Sequence, residues 1–485
     1  MYEITQRSDD LSRESVLNEI ANTDRAIQQL YDRRLQLNEK LNLTAPIMKV
    51  LPLDILVEIF HLAVETQFRE TFVSSGRVPF SLAMVCRSWK GIVLENSKIW
   101  SCILLVYDTR NEDRLLPLLE TWLARSATFP LRIRLENLYG TSPNPGKGLE
   151  TLLKESYRWS SFDSFYFPAM LTSEVSSNSF PCLKSLAIRA VPKFTWTIPR
   201  PIIMFRDAPI LHFELTNLSV RSLALDFSRI KSLAGRWSVV ELIETLRIMP
   251  LLRVCWVSVY SSTSTIHQMV EEPSLLLPQL EILRLEGHIL AGVANFLSQI
   301  TTPRLRVFRV EDRNTTHSST STWANLSCHL IQRSRCTLQA LWIVSFTDIV
   351  GLPDVLRATP SIQQFTVQCR YPNFFNNALV DALELLPNLV ELTLEGVIAF
   401  EPAKFIQAIR TRQYGQDQSG INTTPPRTLK TLSVKYTNSK WGVSYHPNVL
   451  RDFYRDMVDI EQSGTNFIFD CVDTIDFNQP LNLAF

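Results

Sequence analysis

The chain has 485 residues, room for roughly three or four ordinary domains or for one long repeat array with a small appendage. Its 49 basic and 48 acidic residues leave a formal net charge of +1, which excludes a general electrostatic pull toward nucleic acid or an anionic membrane. A hydrophobic content of 45% supports a large core and excludes global disorder, while only 14 glycines argue against phosphate-cradling loops.

The start, MYEITQRSDDLSRES, is polar and charged, so no secretory signal is expected. No stretch approaches the ~20 apolar residues of a membrane span. The cysteines form no CxxC pair and no framework spacing. Reduced thiols in the cytosol or nucleus are therefore expected, and a sequon such as Asn42-Leu43-Thr44 is then silent.

Residues 11–43 form the first segment. Val16, Ile20, Thr23, Ile27, Leu30, Arg34, Leu37 and Leu41 recur at alternating steps of four and three, apolar except at Thr23 and Arg34, with charged flanks. The pattern predicts a helix with a coiled-coil seam, used either for self-association or as a surface helix docked on its own protein. Pro46 ends it, because the residue before proline disfavours the α region.

Residues 47–106 form the second segment. After Leu51 and Pro52, the residues Ile55, Leu56, Ile59, Phe60 and Ala63 lie on one face of a 3.6-period helix. Pro52 suits the first helical turn, and Asp54 there complements the helix dipole. ETQFRETFVSSGR predicts a polar loop, and PFSLAMVCRSWKGIV a second helix with Leu82, Val85, Cys86, Trp89 and Val93 on one face. SKIWSCILL then brings Trp100 and an apolar run. Two such helices suit a small self-contained bundle, but a unit this short with this much apolar side chain is expected to need a partner face.

The order of these parts resembles an F-box motif: Leu51, Pro52, Asp54, Ile55, Leu56, Ile59, Phe60, then Leu82, Val85, Cys86, Arg87, Trp89 and Trp100. The resemblance covers about fifty residues, and the intervening loop Thr66–Arg77 is longer than in compact members. With the preceding helix and the LTAPIMKVLP junction, the segment is similar to the F-box proteins abundant in mushroom-forming fungi. The resemblance implies docking onto the adaptor of an SCF-type cullin–RING ubiquitin ligase, and through it onto a cullin, as a helix-in-groove contact. It implies Leu51, Pro52, Ile55, Leu56, Ile59, Phe60, Leu82, Val85, Cys86 and Trp89 as adaptor-binding residues. The residues themselves do not separate those that touch a partner from those that hold the helices together.

Residues 107–485 form the third segment. An apolar-x-x-apolar-x-apolar phrase, usually opened by proline, recurs as Leu183/Leu186/Ile188, Leu252/Cys255/Val257, Leu280/Leu283/Leu285 and Leu305/Phe308/Val310. It returns as Leu338/Leu341/Ile343, Ile362/Phe365/Val367, Leu389/Leu392/Leu394 and Leu429/Leu432/Val434. The last two positions alternate as a half-buried strand requires. From Leu252 to Leu389 the spacing resembles the ~20–29-residue period of leucine-rich repeats, with one longer interval after Leu305. DALELLPNL and AGVANFLSQI predict short helices between strands. The expected fold class is α/β: a long N-terminal helix, a small helical F-box domain and an irregular leucine-rich-repeat solenoid, the alternative being a generic α/β domain. The stretches Arg313–Asn325 and Thr411–Arg427 are expected to be loops.

No GxSxG, HExxH, Walker loop or GxGxxG occurs, so an enzyme reading has no motif behind it. The GKG of Asn144–Glu150 reads as a flexible turn, and His61 as a residue at the solvent edge of its helix. Cys328, His329 and Cys336 fit no standard zinc spacing. No metal, cofactor, nucleic-acid or membrane partner is expected. The expected function is a non-catalytic substrate-recognition subunit, with an unidentified target protein held by outward strand residues such as Arg284, Arg309, Gln364 and Thr393. The alternative is a leucine-rich-repeat scaffold that works outside a ligase.

Overall fold

The computed structural model describes residues 2–44, 50–70, 78–107, 112–137, 146–165, 179–189, 202–260, 275–287, 292–312, 322–346, 351–369, 374–398, 400–414, 429–437, 455, 457, 460–461 and 465–472. It is a mixed α/β protein with a long N-terminal helix and a large parallel sheet. The chain packs as two compact units: residues 1–170 with 180–182, and residues 171–179 with 183–485.

The first unit opens with α1 (Tyr2–Leu43), α2 (Leu53–Glu70), α3 (Val78–Ala83) and α4 (Arg87–Glu95). Strand β1 (Cys102–Tyr107), α5 (Glu112–Ser126), β2 (Leu131–Asn137), α6 (Gly146–Leu153) and β3 (Trp159–Phe165) follow. The three strands are parallel, with Ile103 beside Ile133 and Ile133 beside Phe162, and the β2–β3 register shifts by one residue between Leu131 and Arg132.

Several expectations shift here. Helix α2 continues to Glu70, through much of the predicted polar loop. Phe68 extends the stripe Leu56, Phe60 and Val64, spaced four residues apart, and is buried with it, so the helix gains core contact by continuing. Residues 71–77 of that loop lie outside the described residues. The predicted second helix is two helices, broken at Met84–Cys86. Cys86 is extended (φ −159°), and its sulfur accepts the Trp89 N–H as the N-cap of α4. The predicted GKG turn is the start of α6, whose Leu149, Leu152 and Leu153 are buried on one face.

The second unit contains β4 (Ser185–Arg189), β5 (His212–Thr216), β6 (Ser232–Ser238), α7 (Val239–Arg247), β7 (Val254–Tyr260), β8 (Leu275–Leu276) and β9 (Ile282–Gly287). It continues with α8 (Ala294–Gln299), β10 (Ile300–Thr301), β11 (Val307–Asp312), α9 (Thr322–Ser334), β12 (Ala340–Phe346) and α10 (Leu352–Ala358). It closes with β13 (Gln364–Cys369), β14 (Phe374–Phe375), α11 (Asn377–Leu383), β15 (Glu391–Ile398), α12 (Pro402–Tyr414), β16 (Thr431–Thr437) and β17 (Asn466–Val472). The main parallel order is β4-β5-β6-β7-β9-β11-β12-β13-β15-β16-β17; β8 pairs with β10, and β14 joins β15. Two predicted loops are partly helical: Thr322–Asn325 belongs to α9 and Thr411–Tyr414 to α12. Residues 313–321 and 415–427 of those loops lie outside the described residues.

Every residue of the eight predicted apolar triplets is buried. The second position stacks across the sheet as Leu283, Phe308, Leu341, Phe365, Leu392 and Leu432, the third as Leu285, Val310, Ile343, Val367, Leu394 and Val434. One hydrogen-bond motif locks successive strands. A single carbonyl before each strand accepts two successive N–H groups of the next: Arg306 and Val307 donate to Glu281 O, Gln339 and Ala340 to Arg306 O, Gln363 and Gln364 to Gln339 O. Register is therefore fixed by both backbone and side chain, since a one-residue slip would turn the apolar set outward.

Three arginines, Arg158 and Arg412 buried and Arg333 half-buried, close helix ends. Arg158 donates to Leu123 O, Phe129 O and Ser126 Oγ at the end of α5. Arg333 donates to Leu297 O and Ile300 O at the end of α8, and Arg412 to Leu383 O and Leu386 O at the end of α11. Each supplies donors to carbonyls that the helix leaves unpaired.

Candidate functional site

Helix α2 begins after Pro52, whose carbonyl accepts the Leu56 N–H at 3.1 Å. Asp54 occupies its first turn. Polar contacts then set how the helix lies. Lys98 Nζ meets Glu58 at 2.7 Å, Arg132 Nη1 meets Glu65 at 2.6 Å, and Arg134 Nη1 donates to Phe68 O at 2.9 Å. These contacts hold one side of α2 against its own unit, and Leu56, Phe60, Val64 and Phe68 fill the interior behind it.

The opposite stripe is open. Ile55 is 46% exposed, Ile59 43% and Leu62 53%, with Pro52 exposed in line with them; Leu53, at the first turn and outside this stripe, is 62% exposed, and Leu51 is half-buried. Met84 and Val85, at the break between α3 and α4, are 78% and 54% exposed. The ten residues expected to bind a partner thus fall into two sets. Pro52, Ile55, Ile59 and Val85 face solvent, with Leu51 and Leu82 half-buried. Leu56 and Phe60 are interior, Cys86 is a helix cap, and Trp89 packs its ring on Phe60 at 4.6 Å. Sequence reasoning missed Leu53, Leu62 and Met84. Leu62 was readable, since it continues Ile55 and Ile59 at helical spacing.

An aromatic cluster braces the helices. Trp100 lies edge-on to Trp122 at 5.4 Å and to Phe80 at 5.7 Å, with the Arg125 guanidinium 4.7 Å from its ring. Its indole N–H donates to Val93 O at 2.6 Å, so this buried tryptophan leaves its one donor satisfied. His61 is not at the solvent edge: its side chain is 12% exposed, and burial together with nearby Lys98 depresses its pKa. The Glu58 carboxyl is lowered chiefly by its hydrogen bond from Lys98.

In the second unit, the strand residues expected to hold a target share one sheet face. Trp256, Arg284, Arg309 and Trp342 are successive cross-strand neighbours, and Thr366 and Thr393 continue that row. Gln364 lies in the adjacent row, between Ala340 and Glu391. The Arg284 guanidinium sits 5.1 Å from the Trp256 ring and 5.5 Å from the Trp342 ring. Its pKa is lowered, first by desolvation and then by Arg309. Trp256 Nε1 donates to Glu286 at 2.7 Å, and Arg309 pairs with Glu311 at 3.1 Å. The two tryptophans were missed, although both stand between the last two apolar positions of their phrases.

Among the described residues, no trio of His, Cys, Asp or Glu is grouped to hold a metal ion, and no helix is long and apolar enough to cross a membrane. Cys328 and Cys336 are half-buried thiols, each raised by desolvation. Burial alone pushes the Cys255 thiol up to about 12.

The chain matches no protein-family model and no curated protein. Among solved structures, it is similar to a Bacteroides fragilis protein determined as a structural-genomics target, with 10% identity over 70% of this chain and 82% of that one. The TM-score of 0.30 is too low to bear on fold or function.

Proposed function

We propose that the chain is a substrate-recognition subunit of an SCF-type cullin–RING ubiquitin ligase. In this reading α2–α4 form an F-box, and the strand units form an irregular leucine-rich-repeat solenoid. The observation that carries it is the split on α2: one apolar stripe builds the interior, and a second, Pro52, Ile55, Ile59 and Leu62, is left open. An open stripe of this kind suits a helix-in-groove contact with the adaptor subunit. Burying each Leu or Ile contributes about 1.5–3 kcal/mol before association costs, so a few anchors suffice for micromolar affinity.

The target-binding face in this reading is the row Trp256–Arg284–Arg309–Trp342, in which Trp256 is open while Arg284, expected to face outward, is buried beside the Trp256 and Trp342 rings. Tryptophan and arginine are the residue types that most often dominate binding energy at protein interfaces. The chain performs no chemistry itself; it holds the target near a charged ubiquitin carrier. The second reading, a binding scaffold outside any ligase, is favoured by the exposed apolar seam of α1.

Co-expression with the ligase adaptor, followed by pull-down and size exclusion, tests the proposal. A stoichiometric complex is expected, lost in a folded Leu51→Ala, Pro52→Ala, Ile55→Ala variant. A soluble, folded wild type that fails to bind the adaptor contradicts the F-box reading and leaves the scaffold.

A further inference from the structure

Helix α1 leaves its whole seam unpartnered. Val16, Ile20, Ile27, Leu30, Leu37 and Leu41 are each 46–70% exposed, and Thr23 and Arg34 are exposed with them. The seam spans about 38 Å at 1.5 Å per residue. Near its C-terminal end Glu39 pairs with Arg87 at 2.9 Å. A helix this polar gains little stability without packing along its apolar stripe.

We propose that α1 pairs with α1 of a second copy of this chain, in antiparallel orientation and in one register. The charges and the two polar seam residues select this occupant. Heptad positions a are Ile20, Ile27, Arg34 and Leu41, and positions d are Val16, Thr23, Leu30 and Leu37. Antiparallel pairing sets a against d. In one register Ile20 meets Leu37, Ile27 meets Leu30 and Leu41 meets Val16, while Arg34 meets Thr23. Every apolar residue then faces an apolar residue, and the two polar residues face each other. A shift by one heptad in either direction sets Arg34 against Val16 or Leu30, which leaves a desolvated guanidinium on an aliphatic side chain.

The flanks agree. In the antiparallel register Glu19 of one copy lies beside Lys40 of the other, and the symmetry repeats the pair. In a parallel dimer Glu19 would face Asp24 of the partner copy, and Arg34 would face its own copy across the seam. Both are like-charge contacts. The proposal is independent of the ligase reading. It makes the protein a dimer whose two α2–α4 bundles extend from opposite ends of the shared coil.

Sedimentation equilibrium of the full-length chain tests this. The wild type is expected to reach twice the 55.6 kDa chain mass. Ile27→Asp with Leu30→Asp is expected to weaken dimerisation more than a hundredfold. Glu19→Lys alone is expected to weaken it about tenfold, and adding Lys40→Glu to restore it. A parallel coil predicts the opposite sign, because the new lysine would face Asp24 of the partner copy. Strengthening by Glu19→Lys, a dimer untouched by the seam substitutions, or a wild type that stays monomeric at tens of micromolar would each overturn the proposal.

Discussion

The strand ladder of the second unit and the helices α1–α4 of the first use the same kinds of apolar side chain to opposite ends. In the ladder all eight predicted triplets are buried, and from β7 to β16 their second and third positions stand beside the equivalent residues of the next strand. On α2 adjacent isoleucine and leucine part ways: Ile55 is 46% exposed and Leu56 3%. A parallel ladder covers its own apolar face by repetition. A single short helix covers one face and leaves the other for a partner. The contrast separates residues that hold the fold from residues free to bind.

The ladder should break most easily. Gly235 has φ +127°, and an added Cβ would sit 1.8 Å from Leu215 O, so Gly235→Ala requires the backbone to move. Thermal unfolding should show a loss of about 4 kcal/mol or more, or no folded protein. Leu392→Ala, which empties one fully buried rung, should cost about 2–5 kcal/mol. A smaller loss, about 2 kcal/mol in denaturant unfolding, is expected for Arg412→Met, which strips donors from Leu383 O and Leu386 O.

The helices carry a pH signal. Burial lowers the His61 pKa, so the unfolded chain takes up the proton more readily, near its ordinary value of about 6.5. Stability is therefore full above that value and declines as pH falls below it. His212, also lowered by desolvation, adds to the same decline. Replacing His61→Gln should flatten part of the melting-temperature slope between about pH 7 and 5. The smallest stability effect belongs to the open stripe: Ile59→Ser should change folding stability by no more than about 0.5 kcal/mol.

Much of this was legible from spacing. The triplets located their strands because period-two burial leaves a repeating trace in the sequence. Strands β5 and β6 escaped for local reasons. Pro209 abuts the first apolar residue of its phrase, Ile210, instead of standing one residue further back, and Gly235 fills the third apolar position after Ile230 and Leu233. The arginine closures were invisible, since Arg333 and Arg412 look like surface residues until the preceding helix end is placed beside them. On α2 the stripe could be read but not its division. Ile55 and Leu56 are chemically equivalent; Leu56 turns inward in line with Phe60, Val64 and Phe68, on a helix held by contacts to Lys98, Arg132 and Arg134.

The most direct measurement is calorimetric titration of the SCF adaptor into wild type and into an Ile55→Ser, Ile59→Ser, Leu62→Ser variant, with melting curves for both. Micromolar or tighter binding by the wild type is expected. The variant is expected to lose at least a hundredfold in affinity, at a melting temperature within a few degrees of wild type. Equal binding by both proteins, or no binding by a folded wild type, would contradict the assignment of this stripe as the docking face.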